Sequence, residues 1–376
     1  MNAFDYFFEK SHGLDKDFLI GKNTLSYREL YSSSLSLAAW IQKDIGTGKH
    51  VLIMAPNSAF FIIAYLAVLK SGNIVIPIDP SMETENALYI ISQINPALAF
   101  IDLPANREIK KDNLKLIGPD NIPEAKSTNL QQPDVFEQTA EILFTSGSTG
   151  KPKGVMLSHK NLVANTSSII EYLELTENDR MLEVLPFFYC YGLSLLHTHL
   201  RVGGSMVLNN SFIFLGNIIK QLKEYSCTGF AGVPSHFQIL LRKTKSFRET
   251  DFPALRYVTQ AGGGLSTVFI DEFRESFPKV SFNVMYGQTE ATARLAWLPP
   301  EMYDKKKGSI GKAIPGVSLK LVSPDGQEVS EGETGEILAG GDNIMQGYYK
   351  DEKATDEVLK GGWLYTGDLA TRDKDG

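Results

Sequence analysis

Short apolar runs alternate with longer helical stretches along most of the chain. The run Val51-Leu52-Ile53-Met54-Ala55 is followed by a Pro-Asn-Ser stop, an apolar stretch from Ala59 to Leu69, Gly72 and a second apolar run, Ile74-Val75-Ile76. This pattern predicts strand, helix, strand, with Ser58 placed to cap the helix. A helix-like stretch opening near Glu83 ends before Pro96, and Ala97-Leu98-Ala99-Phe100-Ile101 follows as a strand. Short apolar strands separated by helices predict largely parallel sheets covered on both faces, so the fold class is α/β. A second α/β pattern opens at Glu141 and continues through the runs ending at Leu208, Phe230–Pro234, Arg256–Thr259 and Val280–Val284. From Gly308 the texture shifts to short β-like runs, among them Ser318–Val322 and Gly335–Ala339, split by glycine and Pro-Asp-Gly turns. That tail predicts a small β-rich subdomain. The segment from Pro104 to Pro133 has no strong hydrophobic period and reads as a surface connection. The expected organisation is one large domain over 1–376, with α/β subdomains at about 1–140 and 141–307 and the β-rich one at 308–376.

Composition narrows the function classes. With 37 Lys and Arg against 44 Asp and Glu, the formal charge of −7 argues against a broad phosphate-neutralising face, so no nucleic-acid partner is expected. The two cysteines, Cys190 and Cys227, form no CxxC motif and no disulfide framework, which fits a reducing cytoplasm. The first residues, Met1-Asn2-Ala3-Phe4-Asp5, lack the basic and apolar regions of a signal peptide, and the apolar run ending at Leu69 is too short for a membrane span. A cytoplasmic location is therefore expected. His197 and His199 would share a face if extended, but no third ligand stands nearby. Cys227 reads as a small core residue.

The densest chemistry lies directly after Ile142-Leu143-Phe144. Thr145-Ser146-Gly147-Ser148-Thr149-Gly150-Lys151-Pro152-Lys153-Gly154 places four hydroxyls, three glycines and two lysines in ten residues. Close-approach amides, O–H donors and positive charge together suit a polyphosphate. Pro152 follows Lys151 where a Walker A loop needs a Ser or Thr for magnesium, so this is a different phosphate loop.

The run resembles the phosphate-loop signature of the adenylate-forming superfamily, which comprises acyl-CoA synthetases, luciferases and peptide-synthetase adenylation domains. Further stretches match in family order. Gln260-Ala261-Gly262-Gly263-Gly264-Leu265 resembles the glycine-rich segment between adenine and the acyl group. Tyr286-Gly287-Gln288-Thr289-Glu290 is similar to the motif supplying an adenine-stacking Tyr, a Thr near the α-phosphate and a magnesium-binding Glu. Trp363-Leu364-Tyr365-Thr366-Gly367-Asp368 is similar to the motif whose Asp holds the ribose hydroxyls. The chemistry agrees: a Tyr ring can stack on a purine, a carboxylate suits Mg²⁺ beside phosphates, and an Asp can accept from two hydroxyls.

Pro186-Phe187-Phe188-Tyr189-Cys190-Tyr191-Gly192 matches the family segment lining the acid pocket. Many relatives carry a His where Tyr189 stands; a Tyr can gate the carboxylate but carries no positive charge near neutrality. The segment offers no carboxylate for a substrate amine, which disfavours an amino acid. Arg294 falls in a segment that lines the pocket in relatives, where it could pair with a second substrate carboxylate; a surface position or an internal ion pair is the ordinary alternative for an Arg.

The resemblance implies an AMP-forming acyl-CoA synthetase, with ATP, Mg²⁺ and CoA as the small molecules used. The catalytic roles would fall to Thr289, Glu290 and Tyr189. It also implies a mobile lid domain beyond Gly376, so the expectation is a lidless large domain impaired in catalysis. Two other readings stay open: transfer of the acyl group to a carrier-protein phosphopantetheine, and a non-catalytic nucleotide-binding module. The acid is unspecified.

Overall fold

The computed structural model describes residues 1–22, 24–103, 114–125, 129–131, 133–145 and 151–376. Among them the strands form three sheets. In the seven-stranded sheet the order is Gly347–Tyr348, Lys153–Ser158, Thr139–Thr145, Ile74–Pro77, His50–Met54, Leu98–Ile101 and Lys115–Ile117, parallel except at the first two strands. In the nine-stranded sheet a parallel centre runs from Ser281–Tyr286 through Tyr257–Gln260, Gly229–Gly232, Arg180–Glu183 and Ser205–Leu208 to Asp17–Leu19, with antiparallel strands at both ends. The third sheet is antiparallel and joins Val317–Val322, Thr334–Gly341, Trp363–Thr371 and Leu359–Lys360.

Alternate residues of each large sheet serve different layers. Val51 and Ile53 join Met181, Met206 and Ala231 in a core shared by both sheets, together with the helices Ala3–Phe8, Ala59–Lys70, His159–Leu173 and Cys190–Val202. Leu52 and Met54 face the helix Thr84–Ile94, while Leu182, Val207 and Phe230 face the helices Leu215–Glu224, Pro234–Lys243 and Thr267–Ser276. The result is five layers, helix and sheet alternating. Its middle helices must be apolar all round, and Ala59–Lys70 is the clearest case, with residues from Phe60 to Lys70 buried. Ser58 caps it as expected, its Oγ accepting from Phe61 N at 3.2 Å. No helix among the described residues is long and apolar enough to cross a membrane.

Three expectations change. Sheet membership does not follow the boundaries at 140 and 307: Thr139–Thr145 and Lys153–Ser158 belong with the earlier strands, and Asp17–Leu19 crosses to pair with Ser205–Leu208. The Pro104–Pro133 connection contains an edge strand, Lys115–Ile117, with Ile117 buried; three residues are too few to show a period. His197 and His199 lie on a helix, where neighbours two apart point to different sides. His197 stacks on Phe7 at 4.5 Å, and His199 Nδ1 bonds Leu195 O at 2.8 Å. Cys227 is buried, as expected for a core thiol.

Burial sets the acid response. It pulls His159 and His197 down to about 3 and His236 to about 4, while pushing Glu141 up to about 7. The histidines stay neutral in the fold but charge near 6.5 when unfolded, so their contribution is complete above that pH and is lost as pH falls toward the folded values. Glu141 works oppositely, its contribution being full near pH 4.5 and lost as pH rises through 7. Glu183, pushed well above the usual carboxylate range by burial, acts in the same sense as Glu141, and the three histidines outweigh these two carboxyls between the limits. The melting temperature should therefore fall continuously from pH 6.5 to 4. His159 Nδ1 accepts from Ala3 N at 3.2 Å and must be unprotonated to do so. His159→Gln should flatten the slope, and an unchanged slope in calorimetric scans would remove this residue from the acid response.

Candidate functional site

The candidate residues gather where strands of the two large sheets end. Thr145 and Lys153 are register partners in the antiparallel hairpin of Thr139–Thr145 and Lys153–Ser158, at the two ends of the glycine- and hydroxyl-rich run. Ser146, Gly147, Ser148, Thr149 and Gly150 lie outside the described residues. At the base of the hairpin, Lys153 Nζ stands 5.0 Å from the centre of the Tyr348 ring. Tyr348 in turn donates from its hydroxyl to Glu290 Oε1 at 2.8 Å. Burial raises the Tyr348 hydroxyl, which keeps it a donor. A cation, a phenol and a carboxylate thus stand in a row. Tyr348 was not marked by any sequence pattern, and its strand of two residues offers no period to detect.

The loop carrying Glu290 is held by contacts from far along the chain. Met345 N donates to Glu290 O at 2.8 Å. Buried Asn343 donates through Nδ2 to Ala291 O at 3.1 Å and Arg294 O at 2.9 Å, and its own carbonyl accepts from Thr292 Oγ1 at 2.6 Å. These bonds stabilise a backbone that non-glycine residues disfavour, with φ of 56° at Thr292 and 109° at Ala293.

Tyr286 ends its strand and donates to Asp368 Oδ2 at 2.6 Å, joining the nine-stranded sheet to the C-terminal sheet. The neighbouring parallel strand ends at Gln260, so Gly262, Gly263 and Gly264 emerge beside Tyr286 as an exposed turn. Gly262 and Gly263 adopt φ of 79° and 146°, and Gln260 Nε2 donates to Gly263 O at 2.8 Å. Carboxyl ends of adjacent parallel strands are where open α/β sheets present ligands.

The segment 186–192 turns into the helix Cys190–Val202. Asn57 shapes that turn from the other sheet: its Nδ2 donates to Leu185 O at 2.8 Å and its Oδ1 accepts from Phe187 N at 2.9 Å. Gly192 has no room for a side chain, because a Cβ would lie 2.4 Å from Pro186 O. Phe187 is a core ring against Phe61, whereas Tyr189 is 55% exposed. Desolvation and Asp79 raise the Tyr189 hydroxyl, so it remains neutral. Cys190 Sγ stands 3.5 Å from Thr289 Oγ1, and the Tyr191 hydroxyl lies 2.9 Å from Thr259 Oγ1. Arg294 is neither on the surface nor in an ion pair among the described residues: it is 2% exposed, and its guanidinium sits 4.0 Å from the Tyr191 ring.

Glu290 supplies a single hard carboxylate, and no group of three or more His, Cys, Asp or Glu among the described residues could hold a metal ion. This donor set fits a cation such as Mg²⁺ that takes one protein carboxylate and completes its shell with phosphate and water.

Residues 8–349 match the family described as AMP-binding enzyme. The chain belongs to that family. Relatives within it include a probable CoA ligase, CCL5, of Humulus lupulus, 29% identical with 94% of this chain and 68% of the relative covered. A long-chain-fatty-acid–CoA ligase of Salmonella typhimurium is also 29% identical, over 94% of this chain and 71% of the relative. Among solved structures, the O-succinylbenzoate coenzyme A synthetase from Bacillus subtilis, in complex with ATP and magnesium ion, superposes with a TM-score of 0.88 at 26% identity. That match covers all of this chain and 78% of the other. The α/β layers and the small antiparallel C-terminal sheet are those of an adenylate-forming enzyme.

Proposed function

We propose that this domain activates a carboxylic acid with ATP, forming an acyl-adenylate and pyrophosphate, and that the acyl group then passes to CoA. The observation carrying this reading is the convergence of five separate segments through four contacts: Tyr286 on Asp368, Glu290 on Tyr348, Tyr348 beside Lys153, and Thr289 on Cys190. The run from Thr145 to Lys153 would hold the phosphates, Tyr286 and Gly262–Gly264 the adenine, and Asp368 the ribose. Glu290 would hold Mg²⁺, which supplies charge neutralisation at the phosphates when bound. Thr289 and neutral Tyr189 would orient the carboxylate by hydrogen bonds, with Cys190, Tyr191 and Gly192 walling the acid pocket. CoA as acceptor follows the named CoA ligases among the relatives.

Asp368 provides the test of the nucleotide assignment. Replacing it with Ala removes the acceptors for both ribose hydroxyls, so ATP should bind about tenfold more weakly, whereas 2′,3′-dideoxy-ATP should be nearly unaffected. Tyr286→Phe, which breaks only the Tyr286–Asp368 bond, separates loss of that link from loss of the ribose contacts. Equal weakening of the two nucleotides in titration calorimetry would place the ribose elsewhere. Pyrophosphate release across aliphatic, aromatic and dicarboxylic acids then tests the chemistry.

A further inference from the structure

Arg294 is among the largest fully buried side chains of the molecule, and its charge is left without a carboxylate among the described residues. Its Nη1 donates to Ala293 O at 3.1 Å and its Nη2 to Ser194 Oγ at 3.4 Å, the buried Tyr172 hydroxyl lies beside the guanidinium, and of its nitrogens only the buried Nε has no partner. The Tyr191 ring at 4.0 Å offers a cation–π contact, worth far less than burying a guanidinium costs. Two buried carboxyls belong to the same region, and neither neutralises it. Glu183 Oε1 accepts from Leu185 N at 2.7 Å, and burial pushes its carboxyl well above the usual carboxylate range. Glu141 Oε2 accepts from Tyr65 OH at 2.7 Å. The backbone ahead of Arg294 is held in the disfavoured region at Thr292 and Ala293 by the Asn343 bonds, so the inward placement is enforced. A buried cation with an open donor at Nε and no carboxylate partner among the described residues has the features of a ligand site that is complete only when an anion occupies it.

The helix Cys190–Val202 gives the position of that anion. Cys190, whose sulfur touches Thr289, feels the Arg294 charge, and Ser194 is one helical turn further on the same face. We propose that Arg294, at the turn of this helix where the Ser194 hydroxyl is already bonded to Tyr191 O, receives a second carboxylate of the acid substrate, so that the preferred substrate is a dicarboxylic acid. The inference rests on the adenylation reading, which places the reacting carboxylate at Thr289. Residues four apart on a helix face are separated by about 5–6 Å, so the two carboxylates are a few carbon atoms apart. A monocarboxylic acid of the same length leaves the guanidinium unpaired and is disfavoured.

The test uses the 376-residue chain and titration calorimetry with ATP, then with a series of straight-chain diacids and their monomethyl esters. ATP binding reports on the adenylation reading separately: without it, that reading fails and the subsite falls with it. With ATP bound, the best diacid should bind at least about tenfold more tightly than its half-ester. Arg294→Met should remove that preference, and Arg294→Lys should keep part of it. Equal binding of diacid and half-ester by the unaltered chain overturns the proposal, as does binding of neither or a preference that survives Arg294→Met. The comparison on the unaltered chain decides the matter even if the variants fail to fold.

Discussion

Glu290→Gln should lower adenylate formation about 100-fold or more while leaving the protein folded. The amide keeps the shape of the side chain and an oxygen that can accept from Tyr348, whose hydroxyl now donates to Oε1 at 2.8 Å. The backbone contact from Met345 N to Glu290 O does not involve the side chain at all. What disappears is the negative charge, and with it the preference of a hard divalent cation for that position. The decisive measurement is ATP affinity with Mg²⁺ against ATP affinity in EDTA. The unaltered protein should gain affinity from the cation, and the variant should lose most of that gain while binding metal-free ATP as well as before. A variant with full Mg²⁺ dependence and an unchanged rate of pyrophosphate release at limiting Mg²⁺ would move the cation to other residues.

The second large effect is expected from one methyl group at Gly287. A Cβ built there would lie 2.1 Å from Ala293 O and 2.7 Å from Arg294 Cα. Neither neighbour can yield easily, because both are backbone and the loop is tied at several points. Leu295 N donates to Tyr286 O at 2.8 Å, Ala293 N to Gln288 O at 3.2 Å, and Asn343 holds Ala291 and Arg294. Gly287→Ala should therefore cost about 2–4 kcal/mol and lower the melting temperature by several degrees. It should also displace Thr289, Glu290 and Arg294 together, so nucleotide and acid binding fall in parallel. Gly13→Ala, away from the site, is the matching control, since a Cβ there meets nothing within 4 Å. A Gly287→Ala protein that melts and binds ATP like the unaltered one would show that the loop has slack the contacts do not suggest.

Much of the architecture could be read from local pattern. The strand–helix–strand order around Val51–Ile76, the Ser58 cap and the β-rich tail after Gly308 each depend on residues within a few positions of one another. The helix Tyr27–Ile45, which the apolar pattern does not mark, is held at its start by a capping box in which Ser26 and Glu29 bond reciprocally. The motif residues of the site were legible for a similar reason, because each motif is a contiguous run whose chemistry is visible without the fold.

What no local pattern carries is the pairing of distant segments. Asp17–Leu19 joins a strand nearly two hundred residues later because its apolar residues complete that sheet's edge, and nothing in three residues announces the partner. Tyr348 meets Glu290, Asp368 meets Tyr286, and Asn343 sets the loop before Arg294, each through a side chain whose type is common in ordinary turns. Arg294 makes the point most sharply. In the sequence it reads as a surface residue, an ion-pair partner or a substrate contact, since the same side chain serves all three. Periodicity and caps arise from forces acting within one or two turns of chain, so they are written locally. Burial of a charge and the identity of its neighbours arise from packing between layers, so they exist only once the sheets have closed on their shared helices.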